Sequence, residues 1–368
     1  MKILHVTESI KGGIATHLSV LWQEHKMTDA VGEICFAIPV TQHGELPTVP
    51  AEAMRRLPDT RRNLPGLFKH AKATARLIAC EKPDIVHAHS TFAGVAVRVL
   101  KYLGLCPVPV CYCPHGWGFD RSLGPVHAIV YRTLERTLAP ASQAILCISK
   151  HELRQARLVG VSRRRLYLAY NGLPAHCAAA ERHAPADETT DTPLQIAFAG
   201  RMDRQKGFDV LLAALESVQR PVHLTCIGAP VLHDQPPPKI AGNDRHTIRL
   251  TGWLTPQDVA RELRRADVVV VPSRWEGFGL VAIEAMREGT PVVASRCGGL
   301  GELIVDGITG RLVPPGDVPA LASAIGNLCR EELQAWGIMS RSRFAAGFTA
   351  DRMTSRIHDI YAGLHEAR

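Results

Sequence analysis

Short apolar runs recur along the chain, each closed by glycine, proline or a polar pair and each followed by a stretch of helical periodicity. In the first part the apolar runs predict strands at 2–6, 34–40, 85–89, 108–113, 144–148 and 166–170. Amphipathic spacing predicts helices at 14–25, 67–80, 92–103, 126–138 and 150–158. Residues 41–62 are polar, carry Pro47, Pro50 and Pro58, and read as irregular. Strands alternating with helices in this way predict a doubly wound, mostly parallel sheet.

The alternation then stops. Residues 173–193, LPAHCAAAERHAPADETTDTP, lack apolar periodicity and read as a linker. It resumes with predicted strands at 194–199, 222–227, 248–250, 268–271 and 292–294, then a hairpin-like turn at 306–310 before 311–313. Predicted helices fall at 208–215, 256–265, 280–287, 318–329, 333–344 and 350–364, with a proline-rich loop at 229–240. The expected domains are therefore 1–172 and 194–349, each with its own sheet, in a chain whose 368 residues are too many for one ordinary core.

The stretch 267–294 concentrates the chemistry. The run 268–271 is apolar throughout, as a strand buried on both faces should be, and Pro272 ends it. Ser273, Arg274, Trp275, Glu276, Gly277, Phe278 and Gly279 form a loop that feeds the predicted helix 280–287. Ligands of open α/β sheets bind beyond the carboxyl ends of strands, which is where this loop lies. Glu276 and Glu284 have seven residues between them, so both carboxylates can meet a ligand rich in hydroxyls. Gly277 and Gly279 permit close backbone approach, and N–H groups at the helix start hold phosphate or sugar oxygens. The plainer alternative makes Glu276 a helix N-terminal acid and Glu284 a solvated helix residue.

Three further loops share this placement. Gly12 and Gly13 follow the first strand, as a phosphate-approach loop or a plain tight turn. His115 stands in Pro114-His115-Gly116-Trp117-Gly118, as a ligand contact or a structural histidine. Arg201 and Lys206 flank a loop that enters a helix N-terminus, a position suited to a diphosphate, although two solvated charges would look the same.

Composition narrows the setting. The ten cysteines include no CxxC pair, and the start, MKILHVTESIKGG, has too short an apolar stretch to read as a signal segment, so reduced thiols in a cytoplasmic protein are expected. No apolar run approaches the roughly 18 residues of a spanning helix. The net charge of +8 is uneven: residues 1–173 hold 22 Lys and Arg against 12 Asp and Glu. That basic half suits an anionic partner such as a diphosphate substrate or a lipid headgroup. No nucleic-acid-binding motif accompanies the charge. There is no DxD triplet, so no metal is demanded.

Taken together, the segments KGGIATHL, PDIVHAHS, CPHGWGF, AILCISK, AYNGL, AGRMDRQKG, PSRWEGFGLVAIEAMREGTPVVAS and GLGELIVDGITGRLVPPGD resemble family 4 of the retaining glycosyltransferases, the bacterial polysaccharide-type group 1 enzymes. They span residues 11–317. The resemblance implies the GT-B fold, two Rossmann-like domains facing across a cleft, with the last helix, about 350–368, packing back on the first domain.

It implies a nucleotide-sugar donor, with Arg201 and Lys206 on the diphosphate, Glu276 on the transferred sugar and Glu284 on the ribose. Backbone N–H groups at Phe278, Gly279 and Leu280 would meet sugar or phosphate, with Gly277 also among the donor-binding residues. Gly12 and Gly13 would close over the diphosphate, and His115 would lie near the donor sugar. No cofactor or metal is implied. The acceptor would be lipid-linked or a saccharide in surface polysaccharide assembly, with peripheral contact to the anionic inner face of the plasma membrane. The same architecture also suits a sugar-nucleotide epimerase or an inactive nucleotide-sugar-binding protein. Transfer with retention needs no dedicated base, because the leaving phosphate can take the acceptor's proton.

Overall fold

The computed structural model describes residues 1–10, 12–25, 31–120, 124–175, 192–229 and 245–367. Most of the linker at 173–193 and of the proline-rich loop at 229–240 lies outside the described residues. The chain divides into two compact units, Met1–Pro174 with Thr349–Arg368, and Ala175–Phe348.

The first unit is built on seven strands: β1 (Lys2–Thr7), β2 (Glu33–Pro39), β3 (Met54–Leu57), β4 (Ile85–His89), β5 (Val110–Cys113), β6 (Ala144–Cys147) and β7 (Leu166–Leu168). They form one parallel sheet in the order β3-β2-β1-β4-β5-β6-β7. Its helices are α1 (Gly13–His25), α2 (Leu64–Glu81), α3 (Ser90–Tyr102), α4 (Pro125–Leu138) and α5 (Lys150–Leu158). Strand β3 corrects the expectation that 41–62 is irregular. Its four residues, MRRL, put two arginines in the middle of an edge strand, and Arg55 is tied to Glu81 at the end of α2. It is too short and too charged to register as an apolar run.

The second unit holds β8 (Leu194–Ala199), β9 (Val222–Ile227), β10 (His246–Gly252), β11 (Val268–Val271), β12 (Val292–Ser295) and β13 (Gly310–Val313). They form a parallel sheet in the order β10-β9-β8-β11-β12-β13. Its helices are α6 (Phe208–Glu216), α7 (Pro256–Arg265), α8 (Leu280–Arg287), α9 (Leu300–Leu303), α10 (Val318–Gly326) and α11 (Arg330–Gly347). The turn at 306–310 does not make a hairpin: Asp306 bridges Gly310, and β13 then runs parallel to β12. Asp and Gly supplied a turn, but a hairpin also needs an antiparallel partner, and the crossover through α9 delivers β13 in the opposite sense.

Helix α12 (Ala350–Glu366) belongs to the first unit, where Ala350 N donates to Leu173 O at 2.9 Å and Tyr361 reaches β4. Thr349, expected to close the second domain, pairs instead with Leu173 of the first.

Both strand orders reverse direction at one place, between β1 and β4 in the first sheet and between β8 and β11 in the second. At such a point the connections from neighbouring strands leave toward opposite faces and open a crevice at the carboxyl ends. Of the loops that the sequence marks as carrying chemistry, those after β1, β8 and β11 leave from these points, while the loop with His115 follows β5, one strand further along.

Candidate active site

In the second unit the loop after β8 and the loop after β11 converge. Gly207, at φ +67, lets them meet: a Cβ placed there would lie 2.0 Å from Pro272 O, so only glycine allows this approach. Arg274 N donates to Gln205 O at 2.8 Å, and Gln205 Nε2 donates to Trp275 O at 3.4 Å. Arg274 also clamps Asp209 at the start of α6 with both guanidinium nitrogens, at 2.7 and 2.6 Å.

That convergence places Lys206 Nζ 2.6 Å from Glu276 Oε2, with the side chains 21% and 12% exposed. Ser273 Oγ, on a fully buried residue, lies 3.4 Å from the same oxygen. Arg201 stands at the rim, half-exposed, with Nη2 2.9 Å from Gln205 Oε1 and 3.1 Å from Asp203 Oδ2. Asp203 in turn accepts from Lys206 N at 2.9 Å, which shapes the turn that presents the lysine. Glu284, in the second turn of α8, is half-buried rather than solvated, and burial pushes its carboxyl above the ordinary range while Arg287 and Lys206 pull it back. Lys206 thus acts on both glutamates. Gly279, at φ +104, opens α8, so its first-turn N–H groups face the same loop. Arg201, Lys206, Glu276, Gly277, Phe278, Gly279, Leu280 and Glu284 are therefore gathered in one unit, with two cationic groups beside two carboxylates.

In the first unit, Gly12, at φ +73, precedes α1 and Gly13 is its first residue; the His17 ring of this helix meets the His115 ring edge-on with centroids 4.9 Å apart. His115 has a left-handed backbone, φ +52, as does Ser90 at φ +69 immediately beyond β4. Non-glycine residues rarely hold this conformation unless their surroundings enforce it. Two buried carboxylates do so. Glu152 accepts from Gly116 N at 2.5 Å and from Ile148 N at 2.9 Å, and its own carbonyl accepts from Trp117 Nε1 at 2.9 Å. Its carboxyl is pushed up to about 8, burial outweighing those two N–H donors. Glu8, beyond β1, accepts from Ser90 Oγ and pairs with Arg62 at 2.8 Å.

Sequence reasoning passed over Glu8, Glu152, Ser90, Arg274 and the histidines other than His115. Two signals were present. Ser149-x-x-Glu152 is a capping-box pattern, and Ser149 Oγ does accept from Glu152 N at 3.1 Å. His87-x-His89 puts two polar rings on one face of a strand otherwise buried throughout.

Comparison with known proteins finds a family match in each of the two units. Residues 12–172 match the family described as glycosyl transferase 4-like domain, and residues 193–331 match glycosyl transferases group 1. A 41.2 kDa protein from the cps region of Klebsiella pneumoniae, described as uncharacterized, is 30% identical over 319 residues, covering 85% of this chain and 86% of that one. The D-inositol 3-phosphate glycosyltransferase of Xylanimonas cellulosilytica is 32% identical over 307 residues, covering 76% and 72%. The Anabaena protein HepE, solved with UDP and glucose, superposes with a TM-score of 0.77 at 17% identity over 99% of this chain and 100% of its own. The fold is the GT-B fold.

Proposed function

We propose that this chain, which belongs to the group 1 glycosyl transferases, moves a hexose from a nucleotide-sugar donor to a lipid-linked or saccharide acceptor with retention of anomeric configuration. The observation that carries the reading is the Lys206–Glu276 pair with Arg201 beside it, where a diphosphate and a hydroxyl-rich ring would each find complementary groups. Arg201 and Lys206 take the diphosphate and neutralise charge as it leaves. Glu276 accepts hydrogen bonds from the transferred sugar, and Glu284 from the ribose. Gly12 and Gly13 are assigned to the diphosphate, and His115 to the donor sugar.

In the step proposed, the acceptor oxygen bonds to the anomeric carbon on the face from which the β-phosphate oxygen departs. The acceptor's proton passes to that phosphate, and the nucleoside diphosphate leaves. No carboxylate acts as nucleophile, unlike the paired-carboxylate scheme of retaining glycosidases. The reaction proceeds without a metal, since the cationic side chains supply the neutralising charge.

The relative from a cps region supports surface or exopolysaccharide assembly as the setting, and HepE with UDP and glucose supports a uridine diphosphate sugar as the first donor to test. Among the described residues no helix is long and apolar enough to cross a membrane. Peripheral contact with the anionic inner face is favoured by α2, where Leu64 and Phe68 are 81% and 72% exposed one turn apart. Arg61 just before this helix and Lys69, Lys72 and Arg76 along it are also exposed. The activity is tested by incubating the protein with UDP-, GDP- and ADP-sugars, measuring nucleoside diphosphate release, and reading the product anomer by NMR. An inverted product would overturn the stereochemistry, and an epimerised donor would favour an epimerase.

A further inference from the structure

Five histidines lie together at the carboxyl end of the first sheet: His5 on β1, His17 on α1, His87 and His89 on β4, and His115 beyond β5. Strand register explains the cluster. His5 faces His87 across the β1–β4 ladder, while His89 is the last residue of β4 and pairs with Cys113, two residues before His115. His89 has no exposed surface, and both of its ring nitrogens are engaged: Nε2 lies 2.9 Å from His5 Nδ1 and Nδ1 lies 2.8 Å from His115 Nε2. The His89 and His115 rings stack with centroids 5.1 Å apart at 25°.

Two triplets, His5/His87/His89 and His17/His89/His115, are close enough to suggest a metal ion. The spacing favours hydrogen bonds. Two nitrogens each about 2.0–2.1 Å from one tetrahedral ion stand roughly 3.3–3.4 Å apart, wider than the 2.8 and 2.9 Å seen here.

In neutral imidazoles each ring carries one N–H, so every N···N contact in a chain needs one proton and the protons all point the same way. Pointing from His115 toward His5, the chain would end in an N–H at His5 Nε2, a buried atom with no hydrogen-bond partner among the described residues. Pointing from His5 toward His115, it leaves only a lone pair there, and buried N–H groups without an acceptor are the rarer of the two. The second arrangement has His89 Nδ1–H donating to His115 Nε2. The proton of His115 then sits on Nδ1, its one ring nitrogen not turned toward His89. His17 adds to this setting: Asn171 Oδ1 accepts from its Nδ1 at 2.9 Å, so its Nε2 also offers a lone pair, and its ring abuts His115.

We infer that His89 is a positioning residue that fixes His115 as the Nδ1–H tautomer, so that His115 meets the sugar or phosphate of the donor as a hydrogen-bond donor and not as a base. The substrate part of this inference rests on the transferase reading; the tautomer does not. Burial holds both rings well below the usual histidine range, which keeps them neutral at physiological pH and the chain of N–H groups intact.

The test is ring ¹⁵N NMR of the full-length protein at neutral pH, with His115 assigned by its loss in His115→Asn. Protonation of His115 at Nδ1 is expected, with no change on adding one equivalent of zinc. Protonation at Nε2, or a zinc-dependent shift of the His89 and His115 resonances, would overturn the inference. His89→Asn keeps a donor near the Nδ1 position, and His89→Leu removes it while leaving a buried apolar side chain. The leucine variant should lose the Nδ1 tautomer and at least tenfold in kcat on UDP-glucose, with KM for the donor little changed. The asparagine variant should recover most of both. Equal loss in the two variants would make the role merely structural. If wild type does not turn over any nucleotide-sugar, the transferase reading fails while the NMR result still decides the tautomer.

Discussion

Lys206 Nζ and Glu276 Oε2, 70 positions apart in sequence, stand 2.6 Å apart across two loops that touch only because Gly207 lies between them. The pair is partly buried, so its charges are stronger partners for a ligand than solvated ones would be. Glu276→Gln keeps the size of the side chain and some hydrogen bonding but removes the charge that faces Lys206. It should lower nucleotide-sugar turnover by about 10²–10³-fold, the range seen when one electrostatic stabiliser of a transition state is lost. Circular dichroism should show the fold intact. Normal transfer by this variant would remove Glu276 from the role assigned to it.

A donor held by Arg201 and Lys206 in place of a metal should bind equally well with the metal removed. A nucleotide-sugar at 100 times its dissociation constant stabilises a protein by about 2.7 kcal/mol through mass action alone. One nucleotide class should therefore raise the melting temperature, by the same amount with and without EDTA. Loss of the shift in EDTA would restore a metal to the mechanism.

Much of this arrangement was legible in the chain. The apolar runs 194–199, 222–227 and 268–271 coincide with β8, β9 and β11, because fully buried parallel strands are nearly continuous in apolar residues. Arg201, Lys206, Glu276 and Gly279 were visible because turn glycines and charges at strand ends leave a local signature. Glu152, Glu8 and the histidine chain were not, since their meaning lies in contacts between β1, β4, β5 and α5 that only strand order creates. A histidine in an apolar strand reads as an oddity until its neighbour in the sheet proves to be another.

The loop bearing Glu276 has a second glycine behind it. A Cβ on Gly298, whose φ is +50, would fall 1.6 Å from Glu276 O, within the backbone itself. Gly298→Ala must displace the loop or strain it, so donor stabilisation in the thermal shift should vanish and the apo melting temperature should fall. Retention of both would show that the loop has room the structure does not display.

The histidine cluster should make the first domain acid-sensitive. Burial holds His5 down to about 3 and His17 down to about 4, while in the unfolded chain each titrates near 6.5. The unfolded state therefore binds more protons below pH 6.5, and the contribution of these rings is full above that pH and falls as the pH drops toward 4. Glu152, pushed up to about 8, has the opposite sign, because its folded form keeps a proton that the unfolded form releases above about 4.5. Substituting one histidine isolates its share: between pH 6 and 5, His17→Gln should lose about 1 kcal/mol less stability than wild type in urea unfolding. Parallel slopes would mean that His17 is not buried neutral.

Leu64 and Phe68 provide the last test, because they decide whether the basic first domain is merely solvated. Two large apolar side chains left in water one turn apart gain by entering a headgroup layer, and the exposed Arg61, Lys69, Lys72 and Arg76 along the same segment add attraction when that layer is anionic. The protein should therefore sediment with vesicles containing phosphatidylglycerol and not with pure phosphatidylcholine, and raising the salt should weaken binding. Replacing both apolar residues, Leu64→Ser with Phe68→Ser, should reduce binding to anionic vesicles about tenfold or more, since burial of each contributes on the order of 1.5–3 kcal/mol. Turnover of a soluble nucleotide-sugar should be unchanged, as neither residue lies near Lys206 in sequence or in its domain. Binding that depends on charge but ignores the two apolar residues would leave a purely electrostatic attraction. No binding to either vesicle would end the membrane reading.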